Sequence, residues 1–412
     1  MKLFARILVT YLLLVFLFTV AVAAAFAIPR DAVEDNVRRS VEQVAGDGRM
    51  FTTQVGLVQP FKLGVFSDCL MLGIVYCADT DHPLRAAMAD RFVMKDGSPV
   101  AGMRQMLDSA SSDNLEMVIY SRYWHGNQVV LRPLLCFTTV HGIRIINIVL
   151  MASLWIALLV ALWRRVGRAE ALIVMSCLAV VMVPSVPMCM NYAPTFYIAL
   201  AASLLVLLWR RVTVCETNAV LLFFVIGAVT SFFDLLTTPL VTMAVPLVVY
   251  MLYRKADSAW RVLIMMSLAW LSGYALLWAT KWLLATVITG YDAFGDAFGA
   301  VEQRTVGHNE QDYMAWCFKM TALGLVAVVA LTVAALALFG KSWCSVRRES
   351  WLLLLSMTAF LWAFVLLEHT WHHLHFTWRT FVVMLVGLAL FLWRTLDLRH
   401  PLALFKKNQR EN

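Results

Sequence analysis

Charged residues are scarce in this sequence. Only 15% of its 412 residues are Asp, Glu, Lys or Arg, whereas 61% are hydrophobic. Soluble domains contain about a quarter charged residues, because a folded soluble protein needs a polar surface around its core. This chain lacks the residues for such a surface. The composition therefore excludes a soluble globular protein and predicts a protein embedded in a lipid bilayer.

The sequence also lacks a long basic segment, although its formal net charge is +8. Its Lys and Arg residues fall in short clusters between apolar runs, at 164–168, 210–211, 254–261, 341–348 and in the C-terminal tail. Such clusters are typical of cytoplasmic turns, whereas a nucleic-acid interface gathers its cations on one surface. We therefore expect no nucleic-acid partner. We expect a multi-pass protein of the cell membrane, in contact with membrane lipids, with both termini cytoplasmic, and we assign it to a bacterial plasma membrane.

Cys-x-x-Cys pairs and the Cys/His spacings of zinc sites are missing among the eight cysteines. Most of these cysteines lie in apolar runs, where cysteine acts as a small hydrophobic side chain. Cys69 and Cys77 differ, because the predicted topology puts both outside the cytoplasm, where a disulfide can persist. The sequence leaves two alternatives for this pair, a disulfide bridge or two buried free thiols.

Apolar runs of about twenty residues, the length that crosses a bilayer as a helix, recur along the chain. They predict an all-α fold, a polytopic transmembrane helical bundle of about ten spans. The first run, Ile7–Ile28, is long for a signal peptide, so residues 1–28 are predicted to be an uncleaved anchor. The other spans lie in a bundle at 141–395, before a basic cytoplasmic tail at 396–412. They are predicted at 145–163, 170–190, 192–209, 217–234, 239–253, 260–286, 313–339, 350–368 and 376–393.

Residues 29–140 form the one long stretch of mixed polarity. Apolar pieces within it, such as Cys69–Tyr76, are too short to cross a bilayer. This region is predicted to be the first extracytoplasmic loop, with amphipathic helices at the membrane interface or packed under the bundle. Two shorter segments, 287–312 and Glu368–His375, are predicted to face the same side. Ionisable residues near a membrane are costly, so their clusters on this side are the candidate functional residues.

Two carboxylates are candidate catalytic residues. Asp68 interrupts the apolar stretch Val65–Tyr76, and Asp234 stands at the outer end of a predicted span. Asp68 can act as a general base toward a hydroxyl group, and Asp234 can orient a substrate hydroxyl. The alternatives are a helix N-cap for Asp68 and a water-exposed helix end for Asp234.

The last outward turn is crowded with histidines. Zinc is one alternative for such a cluster, but histidines at a helix end are more often interfacial polar residues. Recognition of a phosphate is the interpretation we favour, because Arg379 lies at lipid-phosphate depth beside them and needs an anion or an outward path to water. The phosphate-binding candidates are Arg379, His372, His373 and His375, with Glu368 and His369 as sugar or acceptor contacts.

Basic and aromatic residues also alternate in the segment Tyr120–Pro133. Its arginines can hold phosphate and its aromatic side chains can stack on a sugar, although an interfacial aromatic belt with snorkelling arginines explains the same pattern. The candidates are Arg122 and Arg132 for phosphate, and Tyr123, Trp124 and His125 for sugar or acceptor. Lys281 is a further candidate for phosphate and forms a second basic group with Arg304 and His308. This group lies beside a glycine-containing loop at 291–299 that can close over a substrate or simply line the surface.

The anchor helix, the long outward loop with an early Asp68 and the bundle of about ten spans resemble the GT-C class of integral-membrane glycosyltransferases. The resemblance implies a polyprenyl-phosphate-linked sugar as donor, a glycan, lipid or protein acceptor, and a catalytic carboxylate in the first outward loop, which is Asp68 here. Asp79-Thr-Asp81 resembles the carboxylate pair with which some members hold Mg or Mn, and its alternative is a solvated turn. Otherwise no cofactor is expected.

Other functions are also compatible with the sequence. A transporter or flippase for a lipid-linked or small anionic solute is the second interpretation, and a noncatalytic scaffold or sensor is the third. A transporter would need ionisable residues deep in the membrane, but Leu221–Val229 and Thr321–Leu338 contain none and no internal repeat is evident. These observations favour the glycosyltransferase.

Overall fold

The computed structural model describes residues 2–47, 61–108, 115–254, 259–305 and 311–399. These residues form an all-α bundle with one short β-ribbon, which confirms the predicted fold class. The elements are α1 (Lys2–Phe26), α2 (Asp31–Asp47), α3 (Val65–Cys77), α4 (Pro83–Met88), β1 (Arg91–Met94), α5 (Pro99–Leu107), β2 (Glu116–Ile119), α6 (Gln128–Leu135), α7 (Val140–Arg165), α8 (Arg168–Met182), α9 (Ser185–Met188), α10 (Ala193–Leu208), α11 (Arg210–Val214), α12 (Glu216–Phe233), α13 (Pro239–Arg254), α14 (Ala259–Thr289), α15 (Ala293–Thr305), α16 (Gln311–Phe339), α17 (Trp343–Val365), α18 (Leu367–His372), α19 (Leu374–Thr377) and α20 (Val382–Thr395), with a 3-10 turn at Trp378–Phe381.

Seven helical segments among the described residues are long and apolar enough to cross a membrane. They correspond to α1, α7, α12, α14, α16, α17 and the α19–α20 segment Leu374–Thr395. The chain is therefore a polytopic helical protein. Helices α8, α10 and α13 lie at the other three predicted span positions but have only 15, 16 and 16 residues. The count of about ten spans stays a prediction.

Prolines set some of these helix lengths. The predicted span at 170–190 divides at Pro184, where α8 has ended at Met182 and the short α9 follows. Proline supplies no backbone N–H and clashes with the preceding turn, so a continuous helix cannot pass through it easily. Pro246 is instead accommodated inside α13, whose side chains are almost all buried against neighbouring helices.

The tightest helix contact joins α12 and α14 through two glycines. A Cβ at Gly227 would collide with the carbonyl oxygen of Trp270, and a Cβ at Gly273 would collide with that of Phe224. The two backbones approach this closely only because both positions lack a side chain. The contact fixes α14 against the centre of the bundle.

Basic turns gather at one end of the bundle. Contacts between helix termini show this directly: Arg6 donates to Asn218, Arg165 to the Leu207 carbonyl, Arg261 to Glu216 and Arg394 to Glu170. We call this the basic end, and we call the opposite end, which carries the described residues between 29 and 140, the loop end. Both the start of α1 and the end of α20 lie at the basic end, as the charge pattern predicts. Which side of a membrane each end faces stays a prediction.

The described residues between 29 and 140 fold into a small unit at the loop end, which we call the loop domain. Helix α3 is buried from Asp68 to Cys77 and packs against α2, β1, α5 and α6, so it forms the core of this domain. Strands β1 and β2 pair antiparallel from Arg91 opposite Ile119 to Met94 opposite Glu116. The sequence analysis did not predict this ribbon, because four-residue strands carry too little periodicity to distinguish from loop.

Cys69 and Cys77 are both free and both buried in α3. Eight residues of helix separate their Cα atoms by about 12 Å, well beyond the reach of a disulfide. Of the two alternatives, the structure therefore supports two buried free thiols. Cys77 contacts Met106, with 3.8 Å between the sulfur atoms.

Candidate active site

A cavity of about 830 Å³ opens at the loop end, between the loop domain and the turns of the bundle at that end. Its walls come from the chain before α3, the turn before α5, the end of α15 and the α18–α19 segment. Its polar lining consists of Asp47, Lys62, Ser67, Ser98, Tyr120, Asn191, Arg304, His369, His372, His373 and His375. The predicted histidine turn is therefore part of a concave site, and it is joined there by cations that are distant in sequence.

The histidines form a ring-to-ring cluster on one wall. The His373 ring lies 4.8 Å from that of His369 and 4.7 Å from that of His372, centre to centre. His369 Nε2 is 2.8 Å from the Leu236 carbonyl oxygen, to which it donates, while its Nδ1 has no hydrogen-bond partner. Burial lowers the pKa of His369 well below its usual value and that of His373 to about 4. Both rings are therefore neutral at pH 7.

Positive charge in the cavity comes from Lys62 and Arg304. Lys62 is exposed at the start of the described chain before α3. The Arg304 guanidinium lies 5.8 Å from the centre of the Tyr123 ring. The sequence analysis named Arg304 only as part of a second basic group and missed Lys62. The isolated position of Lys62, six residues before Asp68 in an otherwise uncharged stretch, was the one available signal.

Asp68 lies directly behind the cavity wall. Its side chain is completely buried, and its neighbour Ser67 lines the cavity. Asp68 Oδ1 accepts a hydrogen bond from the Met190 backbone N–H at 3.0 Å, and Oδ2 has no hydrogen-bond partner. Gly64 caps α3, so the N-cap alternative for Asp68 is wrong. Burial raises the pKa of Asp68 to about 7, against the opposing effect of Arg144.

Arg144 links Asp68 to a second carboxylate. Its guanidinium lies 2.6 Å from Asp47 Oδ2 and 3.6 Å from Asp68 Oδ2. All three side chains are buried, and Asp47 also lines the cavity. This network could not be predicted from the sequence, because Asp47 and Arg144 are 97 residues apart on α2 and α7.

Asp234 occupies a comparable position behind another wall. Its Oδ1 accepts hydrogen bonds from the backbone and hydroxyl of Thr237, and its Oδ2 has no hydrogen-bond partner. Leu235, the next residue, lines the cavity. Asp234 is 2% exposed, so the alternative of a water-exposed helix end is wrong. Burial raises its pKa to about 6.

Five buried polar atoms beside the same cavity have no hydrogen-bond partner in the described part of the chain. They are Asp68 Oδ2, Asn191 Oδ1, Tyr192 Oη, Asp234 Oδ2 and His369 Nδ1. Leaving such an atom unsatisfied costs about 1–3 kcal/mol, so each of the five can gain from a polar ligand in the cavity. Other atoms of this kind lie in the contact between residues 121–132 and the bundle, so the feature is not confined to the cavity.

Arg379 does not line this cavity. Its guanidinium donates to the carbonyl oxygens of Val181 and His375, at 3.2 and 2.9 Å, and to the Ser185 hydroxyl. It also lies 4.7 Å from the centre of the Tyr192 ring. These contacts with protein groups stabilise the buried guanidinium, so its position does not require an anion. Arg379 supports the histidine turn from behind.

The other predicted phosphate-binding residues also point into protein. Arg122 pairs with Asp296 at 2.6 Å, and Arg132 donates to the Val75 and Ile28 carbonyl oxygens, both at 2.6 Å. Lys281 donates to the Ala87 carbonyl oxygen and lies 3.2 Å from Asp90. None of the three lines the cavity described above. Each instead fastens part of the loop domain.

Tyr123, Trp124 and His125 are likewise buried in the contact between the loop domain and α14. Trp124 donates to the Leu277 carbonyl oxygen at 2.7 Å, and His125 Nδ1 lies 2.9 Å from Asp90 Oδ2. They are not surface residues of an aromatic belt, nor do they line the cavity. Glu368 is half-buried and also lies outside its lining.

The metal alternatives gain no support from the geometry. Asp79 Oδ1 accepts from the backbone N–H groups of Asp81 and His82, which is the hydrogen bonding of a turn. Among the residues that the structure describes, no group of three His, Cys, Asp or Glu side chains could hold a metal ion. His308 lies outside the described residues.

No protein-family model matches this chain, and no curated protein or solved structure matches it either. The chemistry must therefore be argued from the site itself. The cavity combines two cations with neutral imidazoles, which can bind an anion and donate hydrogen bonds to it. A carboxyl group with a pKa near neutrality stands behind the wall and can exchange a proton.

Proposed function

We propose that this protein is an extracytoplasmic glycosyltransferase that moves a sugar from a polyprenyl-phosphate donor to a glycan, lipid or protein acceptor of the cell envelope. The observation that carries the proposal is the loop-end cavity, where Lys62, Arg304 and the histidine turn share the lining with Ser67, the neighbour of the buried Asp68. Such a transfer needs an anion site and a base on the same face of a membrane protein, and the cavity offers a candidate for each.

Lys62, Arg304 and His372 are the proposed donor-phosphate site. The C–O bond between the sugar and the phosphate breaks during transfer, and the leaving phosphate gains negative charge. Cations and N–H donors that meet this charge lower the barrier. This assignment replaces Arg379, whose guanidinium is bonded to protein groups, as the main anion contact.

Asp68 is the proposed general base. It accepts the proton of the acceptor hydroxyl as that oxygen attacks the anomeric carbon. Its Oδ2, which contacts Arg144 at 3.6 Å but has no hydrogen-bond partner, is the oxygen for this step. Substrate binding must open the wall at Ser67 and Asn191 to bring the hydroxyl within reach. Catalytic hydrogen bonds commonly form only in the substrate complex.

A second groove supports a lipid-linked donor. It has a volume of about 340 Å³, shares Lys62, His372 and His375 with the cavity and adds Tyr313, Trp316 and Trp371. Tyr313 and Trp316 lie near the start of α16, and Trp371 of α18 donates to Thr321 of that helix. The 18-residue apolar core of α16 is only 6% buried. A carrier phosphate in the cavity would leave its hydrocarbon chain beside α16, in the lipid phase.

The test compares Asp68→Asn with Asp81→Asn in cells that lack the native protein. Both changes remove one carboxylate of the loop domain, but Asp81 is exposed and lies outside the cavity. We expect Asp81→Asn to restore the envelope glycan and Asp68→Asn to accumulate in the membrane without restoring it. Normal glycan in cells that carry Asp68→Asn would refute the base assignment.

A transporter or flippase is the second candidate, because a larger cavity of about 1770 Å³ opens at the basic end. Between the two cavities the bundle is filled by a continuous apolar cluster. Proteoliposomes loaded with a labelled polyprenyl-phosphate sugar separate the two functions. Movement of the label across the bilayer without transfer to an acceptor would favour the flippase.

A further inference from the structure

The cavity at the basic end lies between the ends of α13, α14, α17 and α20. It belongs to no part of the proposed transfer reaction, since the full length of the bundle separates it from the histidine turn. Its volume of about 1770 Å³ is larger than that of the loop-end cavity.

One side of this cavity is cationic. Its lining includes Lys341, Arg347, Arg348, Arg394 and Arg399, against the two acidic residues Glu349 and Asp397. Arg394 is neutralised by Glu349 and Glu170, at 3.1 and 3.2 Å. Glu349 also contacts Arg348 at 3.0 Å.

Lys341 and Arg347 are not neutralised by an acidic side chain in the described parts of the chain. Lys341 donates to the Arg394 carbonyl oxygen at 3.2 Å, and Arg347 forms no ion pair with these residues. Both side chains are exposed. The cavity therefore presents uncompensated positive charge to an incoming ligand.

The other side is apolar and carries tryptophan. Trp260 and Trp393 line the cavity with 45% and 55% of their surfaces exposed, and Leu398 beside them is 72% exposed. Tryptophan at the end of a membrane span lies at the level of lipid headgroups. A free phosphate would use the cations but would gain nothing from this apolar wall.

We propose that the basic-end cavity binds an anionic phospholipid. The headgroup phosphate lies against Lys341 and Arg347, and the acyl chains leave past Trp260 and Trp393. Basic pockets between spans are suited to such headgroups because the phosphate is held at membrane depth by the lipid itself. The bound lipid bridges α14 to the α16–α17 turn and the end of α20.

Tryptophan fluorescence tests this, because brominated acyl chains quench the tryptophans they touch. The protein is reconstituted in phosphatidylcholine vesicles that contain increasing fractions of dibrominated phosphatidylglycerol or, separately, dibrominated phosphatidylcholine. We expect a component of the quenching to saturate at a lower fraction of the anionic lipid. The double variant Trp260→Phe/Trp393→Phe should lose that component.

The binding variant is Lys341→Gln/Arg347→Gln, and its control is Arg210→Gln/Arg211→Gln. The control removes the same charge from the same end of the bundle but lies outside the cavity. We expect the binding variant to need about tenfold more anionic lipid for half-maximal quenching. The control should stay within about twofold of the native protein, as expected for two cations outside the site.

Three results would overturn the proposal. Equal shifts in both variants would mean that surface charge alone recruits the lipid. An unchanged Lys341→Gln/Arg347→Gln variant would remove these cations from the site. Relief of the quenching by excess inorganic phosphate would show that the cavity takes a free anion, and no lipid.

Discussion

Asp68 is a carboxylic acid at a position where burial disfavours its charged form. Complete burial favours its neutral form, while Arg144 at 3.6 Å favours the carboxylate. The balance brings its pKa to about 7, where a carboxyl group is most useful as a base at physiological pH. The value depends on one cation that also serves Asp47.

Sugar transfer should therefore depend on pH through Asp68. Below pH 7 the carboxyl is protonated and cannot accept the acceptor's proton, so the rate should fall about tenfold per pH unit. Above pH 7 it is ionised and the rate should level off. Single-turnover transfer rates from pH 5 to 9 would check this. A rate that stays flat down to pH 5 would contradict it.

Arg144→Gln should raise the pH below which the transfer rate falls. The variant removes the cation that lowers the pKa of Asp68. It also leaves the Asp47 carboxylate without its ion-pair partner, and the negative charge of Asp47 raises the pKa of Asp68. Losing one partner of a buried ion pair also costs about 3–5 kcal/mol of stability.

The same pH series on Arg144→Gln, with Arg144→Lys as the charge-conserving control, separates the two effects. In Arg144→Lys the transfer rate should still begin to fall near pH 7, even if the variant is less stable. A purely structural role for Arg144 would lower the transfer rate of both variants without changing the pH at which either rate falls.

At this scale the sequence predicts residue types better than their contacts. The histidine turn was recognisable because four histidines stand within seven residues and enter the cavity together. Arg122, Arg132, Lys281 and Arg379 were assigned to a ligand because a charge near the membrane demands a partner. That partner proved to be a carbonyl oxygen or a carboxylate of the protein, which spacing along the chain cannot reveal.

Among the elements, α12 and α14 pack closely because Gly227 and Gly273 have no side chains at their contact. Gly227→Ala and Gly273→Ala should each destabilise the protein by about 1–3 kcal/mol or more, because the added methyl group meets a backbone carbonyl that cannot rotate away. Thermal unfolding in detergent measures the loss.

Gly299→Ala is the matched control for these variants. It is also a helical glycine, in α15, but a Cβ there meets nothing within 4 Å. We expect it to leave the protein as stable or to stabilise it by about 0.4–1 kcal/mol. Equal losses in all three variants would mean that the α12–α14 contact has no special role.

Helices were the most predictable elements. Apolar length places α7, α14, α16 and α17 close to their predicted ranges, because a span must satisfy its own backbone within the hydrocarbon. The burial of α3 was not predictable in the same way. Its apolar run suits a membrane interface and a protein core equally well, and only the tertiary fold decides between them.

The orientation of the whole molecule across the membrane can be measured with its own cysteines. Cys215 and Cys344 are exposed and lie in the turns of the basic end. If that end is cytoplasmic, a membrane-impermeant maleimide should label them only after the membrane is permeabilised.

An Asp81→Cys variant provides the opposite control, since Asp81 is exposed in the loop domain. In a background without the other exposed cysteines, it should be labelled in intact cells. Labelling of Cys215 in intact cells would invert the proposed topology and move the site to the cytoplasmic face.

At the scale of the molecule, composition alone identified a polytopic membrane protein with its basic turns at one end. The loop-end cavity could not be predicted from the sequence, because segments near residues 47, 62, 98, 191, 304 and 372 meet there. Each comes from a different part of the chain. Their meeting depends on helix packing, about which a single sequence carries little information.

The length of α14 has a mechanical consequence. Its 31 residues extend about 46 Å, while the hydrocarbon core of a bilayer is about 30 Å thick. Leu277 and Lys281, in the second half of this helix, hold Trp124 and Asp90 of the loop domain. Hydrophobic mismatch is relieved by tilting. A thinner or thicker host membrane should therefore change the tilt of α14 and carry the loop domain with it, which makes bilayer thickness a control on the shape of the site.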